Sequence, residues 1–167
     1  EDKAKKEEVD TIQWCHREDK ADFGLLYNNR LKVLRLAYGR FKGGKAFDAF
    51  CKENEDWLLD FALYMALKDR NNGKPWYQWE DDLKFRDVDV MDELLVELAE
   101  EIRFYSFVQF KFNQQWIKLR TYAHKNGVEI IGDVPIYVPL DSVDVWSSPK
   151  LFQLDGNCRP TAVAGCP

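Results

Sequence analysis

The sequence from Val128 to Trp146 constrains the fold of this chain more than any other stretch. It begins with the short apolar run V-E-I-I, which follows a long helical pattern and a helix stop at Asn126-Gly127. A helix, a glycine and then a β-branched run are typical of a strand that enters a parallel sheet. Gly132-Asp133 then lies at the carboxyl end of the predicted strand, where α/β folds bind ligands. Asp133 is therefore a candidate functional residue, and the alternative of a loop aspartate that caps the next turn stays open.

Hydrophobic periodicity predicts that most of the chain before this strand is helical. The predicted helices cover residues 22–42, 46–53 and 57–68, followed by two helical segments within 87–125. The last segment, 104–122, is apolar on most sides, which predicts burial on most sides. After the strand, Leu151–Leu154 and Thr161–Ala164 flank the turn signal D-G-N and predict a short β-hairpin.

Several segments share the residue patterns of one enzyme family. They are I-I-G-D-V-P-I-Y-V, D-S-V-D-V-W-S-S-P-K-L-F-Q-L-D, T-A-V-A-G-C-P, F-V-Q-F-K-F-N-Q-Q-W-I-K-L-R-T-Y-A-H-K-N-G, W-L-L-D-F-A-L-Y-M-A-L-K and P-W-Y-Q-W. With these motifs the chain resembles the 4-α-glucanotransferases (amylomaltases or disproportionating enzymes), a family of the α-amylase clan. The resemblance covers roughly residues 22–167 and is densest from Phe107 onward.

The resemblance implies an α/β fold in which this chain is a piece of a (β/α)8 TIM barrel. The piece is expected to be mainly helical, with a helical insertion, one barrel strand and the short β-hairpin. Four parts are expected along the chain: a charged, disordered start at 1–21, a helical insertion at 22–103, a barrel helix and strand at 104–139, and the beginning of a loop insertion beside the active cleft at 140–167.

The activity implied by the resemblance is retaining transfer of α-1,4-glucan segments between maltooligosaccharides, by double displacement. The family's nucleophilic aspartate, acid/base glutamate and third aspartate are expected downstream of Pro167, so no catalytic residue is expected in this chain. The chain is expected to be an interior piece that is inactive alone. Asp133 matches an aspartate that organises the donor subsite, which implies a supporting role in substrate binding.

Further residues near the strand are weaker candidates for lining the substrate cleft. They are Tyr137, Asp141 and Ser142, and each has a structural alternative, since Asp141-Ser142 also reads as the cap of a short helix towards Trp146. The wider clan usually ends this strand motif with Asn-His, whereas here it ends with Tyr137-Val138. The aromatic residues Trp76, Tyr77 and Trp79 either bind sugar or pack against neighbouring helices, and the sequence leaves both open.

Composition and charge exclude several classes of function. The formal net charge is −5, and no basic run is interleaved with aromatic residues, which argues against nucleic-acid binding. No apolar stretch is long enough for a membrane span. The four cysteines and two histidines have no metal-ligand spacing, so no metal or cofactor is expected. Free thiols and a cytoplasmic location are the corresponding expectations.

Two other functions are compatible with parts of the sequence. A stand-alone helical module would use the aromatic helix, Phe104 to Tyr122, to dock a protein partner, but it would not need a strand that ends in Gly-Asp. A hydrolytic enzyme of the α-amylase clan would share the barrel and differ in its products. For the isolated chain we expect self-association through unpartnered apolar side chains, with Phe104, Phe107, Phe110 and Trp116 as the predicted exposed residues.

Overall fold

A computed structural model of the chain describes residues 9–162 and 165. By contacts, the chain divides into two compact units, Glu1–Gly44 and Lys45–Pro167. Three predictions concern residues outside the described part of the chain. They are the first eight residues of the charged start, Cys166, and positions 163 and 164 of the second hairpin arm.

The first unit contains one described helix of some length, α1 (Phe23–Tyr38). Its N-terminus is capped by Asp22, whose side chain accepts a hydrogen bond from the Leu25 amide at 3.0 Å. Helix α1 ends at Tyr38, four residues before the predicted end at 42, and Gly39 is its C-cap. No residue of α1 is buried, and Phe23 is 79% exposed.

The second unit is built from helices connected by short loops. In chain order these are α2 (Lys45–Glu53), α3 (Leu58–Arg70), a 3-10 turn at Trp76–Gln78, α4 (Asp81–Lys84), α5 (Val88–Glu97), α6 (Ala99–Lys125), α7 (Val143–Ser147) and a second 3-10 turn at Pro149–Leu151. The periodicity had predicted α2, α3, α5 and α6 to within a few residues at their ends. Helix α6 passes through position 103, where the sequence had suggested a boundary between two parts of the chain.

The core of the second unit lies between α6 and the helices α2 and α3. Phe110 packs between Phe47 and Phe50, with ring centroids 5.5 Å apart in both pairs. Phe104 and Phe107 are 0% and 2% exposed. The prediction that Phe104, Phe107 and Phe110 would be exposed is therefore wrong, because α2 and α3 already cover the first half of α6.

The second half of α6 has the opposite character. Its large apolar side chains are solvent-exposed: Phe112, Trp116, Ile117, Leu119 and Tyr122. Burial on most sides, which the aromatic content had predicted, holds only for about the first three turns of the helix, up to Phe110. The exposure of Trp116 agrees with the sequence prediction.

The segment that was predicted to be a barrel strand is extended but unpaired. Residues 128–135 form no β-ladder with any described residue, and Ile131 is 93% exposed. The prediction of a strand here is not confirmed. The physical reason is that a strand is defined by hydrogen bonds to a neighbouring strand, and the described helices offer no edge to pair with.

The predicted hairpin is reduced to a tight turn. Leu154 and Pro160 form an isolated antiparallel bridge, supported by a hydrogen bond of 2.8 Å from the Asp155 amide to the Arg159 carbonyl. Asp155 also accepts from the amides of Asn157 and Arg159, which closes the turn locally. The strands on either side are not confirmed.

Candidate functional site

Asp133 lies in the exposed extended segment after α6. Its carboxylate Oδ1 accepts a hydrogen bond from the Val134 amide at 2.8 Å, which is a local contact within the loop. The neighbouring Val134 and Ile136 are 82% and 87% exposed. Asp133 is thus accessible from solvent, and the surrounding apolar side chains lack described partners.

Asp141 sits at the centre of a polar junction between distant parts of the chain. Oδ1 accepts from the Tyr64 hydroxyl at 2.7 Å and from the Trp76 amide at 3.3 Å. Oδ2 accepts from the Lys68 ammonium at 2.5 Å. Lys68 also donates to the carbonyls of Gly73 and Lys74. We call Tyr64, Lys68, Trp76 and Asp141 the Asp141 junction.

The junction changes the acid–base behaviour of two of its members. Partial burial by itself raises the pKa of Asp141, but the hydrogen bonds from Lys68, Tyr64 and Trp76 and the lysine charge outweigh it, so the pKa lies below its usual range. Burial, followed by the hydrogen bond to the Asp141 carboxylate, raises the pKa of the Tyr64 phenol. Asp141 is therefore an ionised structural anchor whose oxygens are already occupied by protein donors.

The tryptophans near the junction form a packed group. Trp79 contacts Tyr64 and Trp146, with ring centroids 5.5 and 5.9 Å apart. The indole of Trp76 donates to the Leu140 carbonyl at 2.6 Å, and that of Trp79 donates to the Lys74 carbonyl at 3.0 Å. Trp76 and Trp79 are 1% and 4% exposed, so both pack inside the protein rather than present a face to a ligand. Tyr77 is half-buried with its ring against Trp76.

Ser142 is the N-cap of α7. Its hydroxyl accepts a hydrogen bond from the Val145 amide at 3.4 Å, and Asp144 lies in the first turn of the helix. The geometry thus supports a role for Ser142 as a helix cap, the alternative to lining the cleft. Helix α7 buries Trp146, whose indole donates to the Leu83 carbonyl at 2.9 Å.

Tyr137 lines an open cleft of about 420 Å³ next to α7. The cleft is mainly apolar, and its other walls include Val138, Leu140, Phe152 and Gln153. Tyr137 is 65% exposed. Of the four sequence-predicted binding residues, the structure therefore leaves Asp133 and Tyr137 accessible. It uses Asp141 to join distant parts of the chain and Ser142 to cap α7.

Three residues of this region escaped sequence reasoning. Lys68 and Tyr64 were assigned only to a helix, and no local pattern links them to a carboxylate more than seventy residues away. Arg86 adopts a left-handed backbone conformation with φ of 55°, pairs with Asp60 at 2.6 Å and stacks over the Trp146 ring at 4.3 Å. In the sequence, the only signal for Arg86 was its position directly before Asp87, the N-cap of α5.

The described residues contain no group of three or more His, Cys, Asp or Glu side chains arranged to hold a metal ion. Within residues 9–162, no helix combines the length and apolar character needed to cross a membrane. The thiols of Cys15, Cys51 and Cys158 are free. Near α7 the chain thus has an accessible carboxylate, Asp133, an accessible phenol, Tyr137, and a separate group of packed tryptophans.

Comparison with known proteins decides the family. A family model described as 4-alpha-glucanotransferase matches residues 1–167. This chain belongs to the 4-alpha-glucanotransferase family. The family resemblance predicted from the motifs around Asp133 is confirmed.

Curated relatives agree with this assignment. The 4-alpha-glucanotransferase of Aquifex aeolicus is 41% identical over 145 residues, which cover 87% of this chain and 30% of that protein. The enzyme of the same name from Clostridium butyricum is 37% identical over 165 residues, covering 97% of this chain and 34% of that protein. The chain therefore spans about a third of the length of the curated relatives it matches.

A solved structure has the same fold over nearly the whole chain. The amylomaltase from Streptococcus agalactiae in complex with acarbose superposes with a TM-score of 0.89 at 34% identity, covering 97% of this chain and 34% of that one. Neither a stand-alone interaction module nor a hydrolytic enzyme is favoured by these comparisons.

Proposed function

We propose that this chain contributes the substrate-side wall of an enzyme that transfers α-1,4-glucan segments between maltooligosaccharides. The observation that carries the proposal is the family match over residues 1–167. The likeness to an amylomaltase in complex with acarbose supports a glucan-type ligand. The reaction is double displacement with retention, in which two carboxyl groups of the enzyme share nucleophilic and acid/base work.

The role proposed for Asp133 is positioning and electrostatic support in the donor subsite. An exposed carboxylate that accepts one local amide hydrogen bond is able to accept further hydrogen bonds from sugar hydroxyls. Tyr137 is proposed as a cleft-lining residue, since its exposed ring and hydroxyl suit one apolar and one polar face of a sugar. Neither residue is proposed to transfer a proton.

The Asp141 junction has a positioning role in this proposal. It fixes Asp141 to α3 and to the Trp76 turn only three residues after Val138, and so limits where Tyr137 can lie. Ser142 continues this anchoring by capping α7. We therefore propose that Asp141 and Ser142 do not contact the substrate directly. They support the residues that do.

We further propose that the extended residues 128–133 are a barrel strand in a family-length protein and that 140–167 begin a loop insertion beside the cleft. The support is the exposure of Val128, Ile130 and Ile131, because β-branched side chains at a strand position are normally covered by neighbouring strands and helices. The parts 1–21, 22–103 and 104–139 remain the proposed divisions of the chain. A cytoplasmic location is proposed, and the free thiols of Cys15, Cys51 and Cys158 are compatible with it.

The exposed apolar surface also supports a proposal about the isolated chain. The second half of α6 and the segment 128–138 carry large apolar side chains that have no described cover, and patches of this kind promote association. We propose that the 167-residue chain self-associates in solution.

The experiment for the proposed function uses a family-length version, in which this sequence is embedded in the remaining two-thirds of a relative. Maltotriose is supplied, and glucose plus longer maltodextrins are the expected products. Asp133→Asn in that version should lower kcat/KM by about tenfold to a hundredfold, with its melting temperature unchanged. Unchanged kcat/KM in a folded Asp133→Asn variant would remove Asp133 from the site.

A further inference from the structure

Arg86 occupies a backbone position that usually belongs to glycine. It lies between α4 and α5, where the Asp87 amide donates to the Asp82 carbonyl at 2.8 Å and closes a Schellman turn. The φ angle of Arg86 is 55°, in the left-handed region. Glycine adopts this conformation without a steric penalty, whereas a residue with a Cβ atom is strained there. An arginine at this position therefore costs the chain some stability.

The guanidinium of Arg86 connects its own turn to two other elements. Nη2 donates to Oδ1 of Asp60, in the first turn of α3, at 2.6 Å. Cζ lies over the ring of Trp146 in α7, 4.3 Å from the ring centroid. Nη1 is buried and has no hydrogen-bond partner among the residues that the structure describes. One side chain thus links the α4–α5 turn, the start of α3 and α7.

Two features of Arg86 oppose stability, which argues against a purely stabilising role. One is its left-handed backbone, and the other is the buried Nη1, since a buried N–H group without an acceptor loses its hydration. Backbone strain persists only where the surrounding structure enforces it, and it clusters at functional sites. Glycine would avoid both costs. What arginine adds over glycine is the connection between Asp60 and Trp146.

Trp146 connects Arg86 to the open cleft that Tyr137 lines, which we call the Tyr137 cleft. Trp146 is 0% exposed, and its indole donates to the Leu83 carbonyl at 2.9 Å. Val145, the adjacent residue of α7, is a wall of the Tyr137 cleft. Because α7 is a helix of only five residues, a displacement of Trp146 moves Val145 with it.

We propose that Arg86 is a positioning residue that holds α7, and through it the Val145 wall of the Tyr137 cleft, in the arrangement that binds substrate. Arg86 itself contacts no substrate and transfers no proton. The use of the Tyr137 cleft for substrate rests on the proposed function, whereas the fixing of α7 by Arg86 rests on the contacts to Asp60 and Trp146 alone.

The kinetic test uses the family-length version with maltotriose, assayed well below the melting temperature of every variant. Arg86→Met keeps the backbone strain but removes the charge and the hydrogen bond to Asp60. It should raise KM by about tenfold and leave kcat within about twofold, because a displaced wall weakens binding without touching the reacting groups. Arg86→Lys should give an intermediate KM, since an ammonium keeps the charge but lacks the planar fork. Arg86→Gly relieves the strain and should still raise KM as Arg86→Met does.

Arg70→Met is the matched control. Arg70 joins α3 to α5 through an ion pair with Glu97 at 2.9 Å, and neither residue lines the Tyr137 cleft. Its KM and kcat should equal those of the unsubstituted version. A residue that only adds stability would leave KM unchanged in every folded variant. Unchanged KM in Arg86→Met, an equal increase in Arg70→Met, or a loss confined to kcat would overturn the proposal.

A second measurement needs no catalysis. Hydrogen exchange of the 167-residue chain should be about fivefold faster or more over residues 143–148 in Arg86→Met, because α7 opens more easily without the cation over its indole. Exchange over residues 102–110 should not change, and Arg70→Met should match the unsubstituted chain over both stretches. Unchanged exchange over 143–148 in Arg86→Met would overturn the proposal. Failure of the proposed function shows differently, since the unsubstituted family-length version then yields no transfer products whatever the exchange result.

Discussion

Asp141 shows how one side chain can serve a structural purpose at a position where sequence reasoning expects substrate contact. Its two oxygens accept from a phenol, an ammonium and a backbone amide that lie 65 to 77 residues earlier in the chain. Hydrogen bonds to a charged carboxylate are among the stronger ones in proteins. The residue ties α3, the Trp76 turn and the start of α7 together.

Substitution of Asp141 should destabilise the second unit. Asp141→Asn removes the charge that faces Lys68 and leaves an ammonium with only carbonyl partners, so we expect a loss of about 1–3 kcal/mol in the free energy of unfolding. Urea denaturation measures this loss. Asp56→Asn is the control, because Asp56 is exposed and should change stability little. Equal stability of the Asp141→Asn and Asp56→Asn variants would contradict the claim that the Asp141 junction stabilises the second unit.

The junction should also make stability depend on acid pH. The pKa of Asp141 is lowered in the folded chain, so its contribution is fully present above its unfolded pKa of about 3.9 and is lost as pH falls through the lower folded pKa. Unfolding experiments from pH 6 down to about pH 2 should show a steeper decline in the unsubstituted chain than in Asp141→Asn. Asp155, whose pKa is lowered by the amides of Arg159 and Asn157, should supply an acid dependence that remains in the variant. If the stability of the unsubstituted chain and that of Asp141→Asn fell in parallel with pH, the lowered pKa of Asp141 would be contradicted.

At the scale of elements, helix α6 has two halves with different roles. Its first half supplies core side chains such as Phe104, Phe107 and Phe110, and its second half exposes Phe112 and Trp116 to solvent. A continuous helix thus passes from a closed core to an uncovered surface. The aromatic content is similar in both halves, so packing partners rather than composition decide the burial.

Two phenylalanines two residues apart on α6 test this division. Phe110→Ala should cost about 3–5 kcal/mol, because it leaves a cavity beside Phe47 and Phe50. Phe112→Ala should cost under about 0.5 kcal/mol, because its side chain is 62% exposed. Both values come from urea denaturation of the isolated chain. Similar losses for the two variants would contradict the described core.

The helices were predictable and the strand was not, for a physical reason. Helical periodicity is local, so the apolar spacing in 57–68 and 87–125 located α3, α5 and α6. Strand pairing at 128–133 depends on distant segments. The same holds for the site: the pattern around Gly132-Asp133 pointed to Asp133, but no local signal linked Asp141 to Lys68. Trp76 and Trp79 were left open by the sequence and are buried in the structure.

At the scale of the whole molecule, the chain combines a packed helical body with an uncovered apolar surface. Three neighbouring apolar side chains are each more than four-fifths exposed: Ile131, Val134 and Ile136. Stable monomers rarely expose large apolar patches of this kind. The 167 residues match about a third of each curated relative. This surface is where we expect the remaining parts of a family-length protein to pack.

The oligomeric state of the isolated chain follows from that surface. Sedimentation velocity at increasing concentration should show association, and Ile131→Lys combined with Ile136→Lys should reduce it by placing charges in the patch. Val96→Lys, at an equally exposed position on α5, is the control and should leave association unchanged. A monodisperse monomer of the unsubstituted chain at all concentrations would contradict the prediction.

The most direct test of the central claim is maltotriose disproportionation, measured together with intact mass on the 167-residue chain and on the family-length version. The account predicts glucose and longer maltodextrins from the family-length version and no transfer products from the chain alone. Transfer by a preparation whose mass matches the 167 residues would contradict the claim that the chain supplies binding and support but not the reacting carboxylates. A folded family-length version without transfer activity would contradict the proposed function itself.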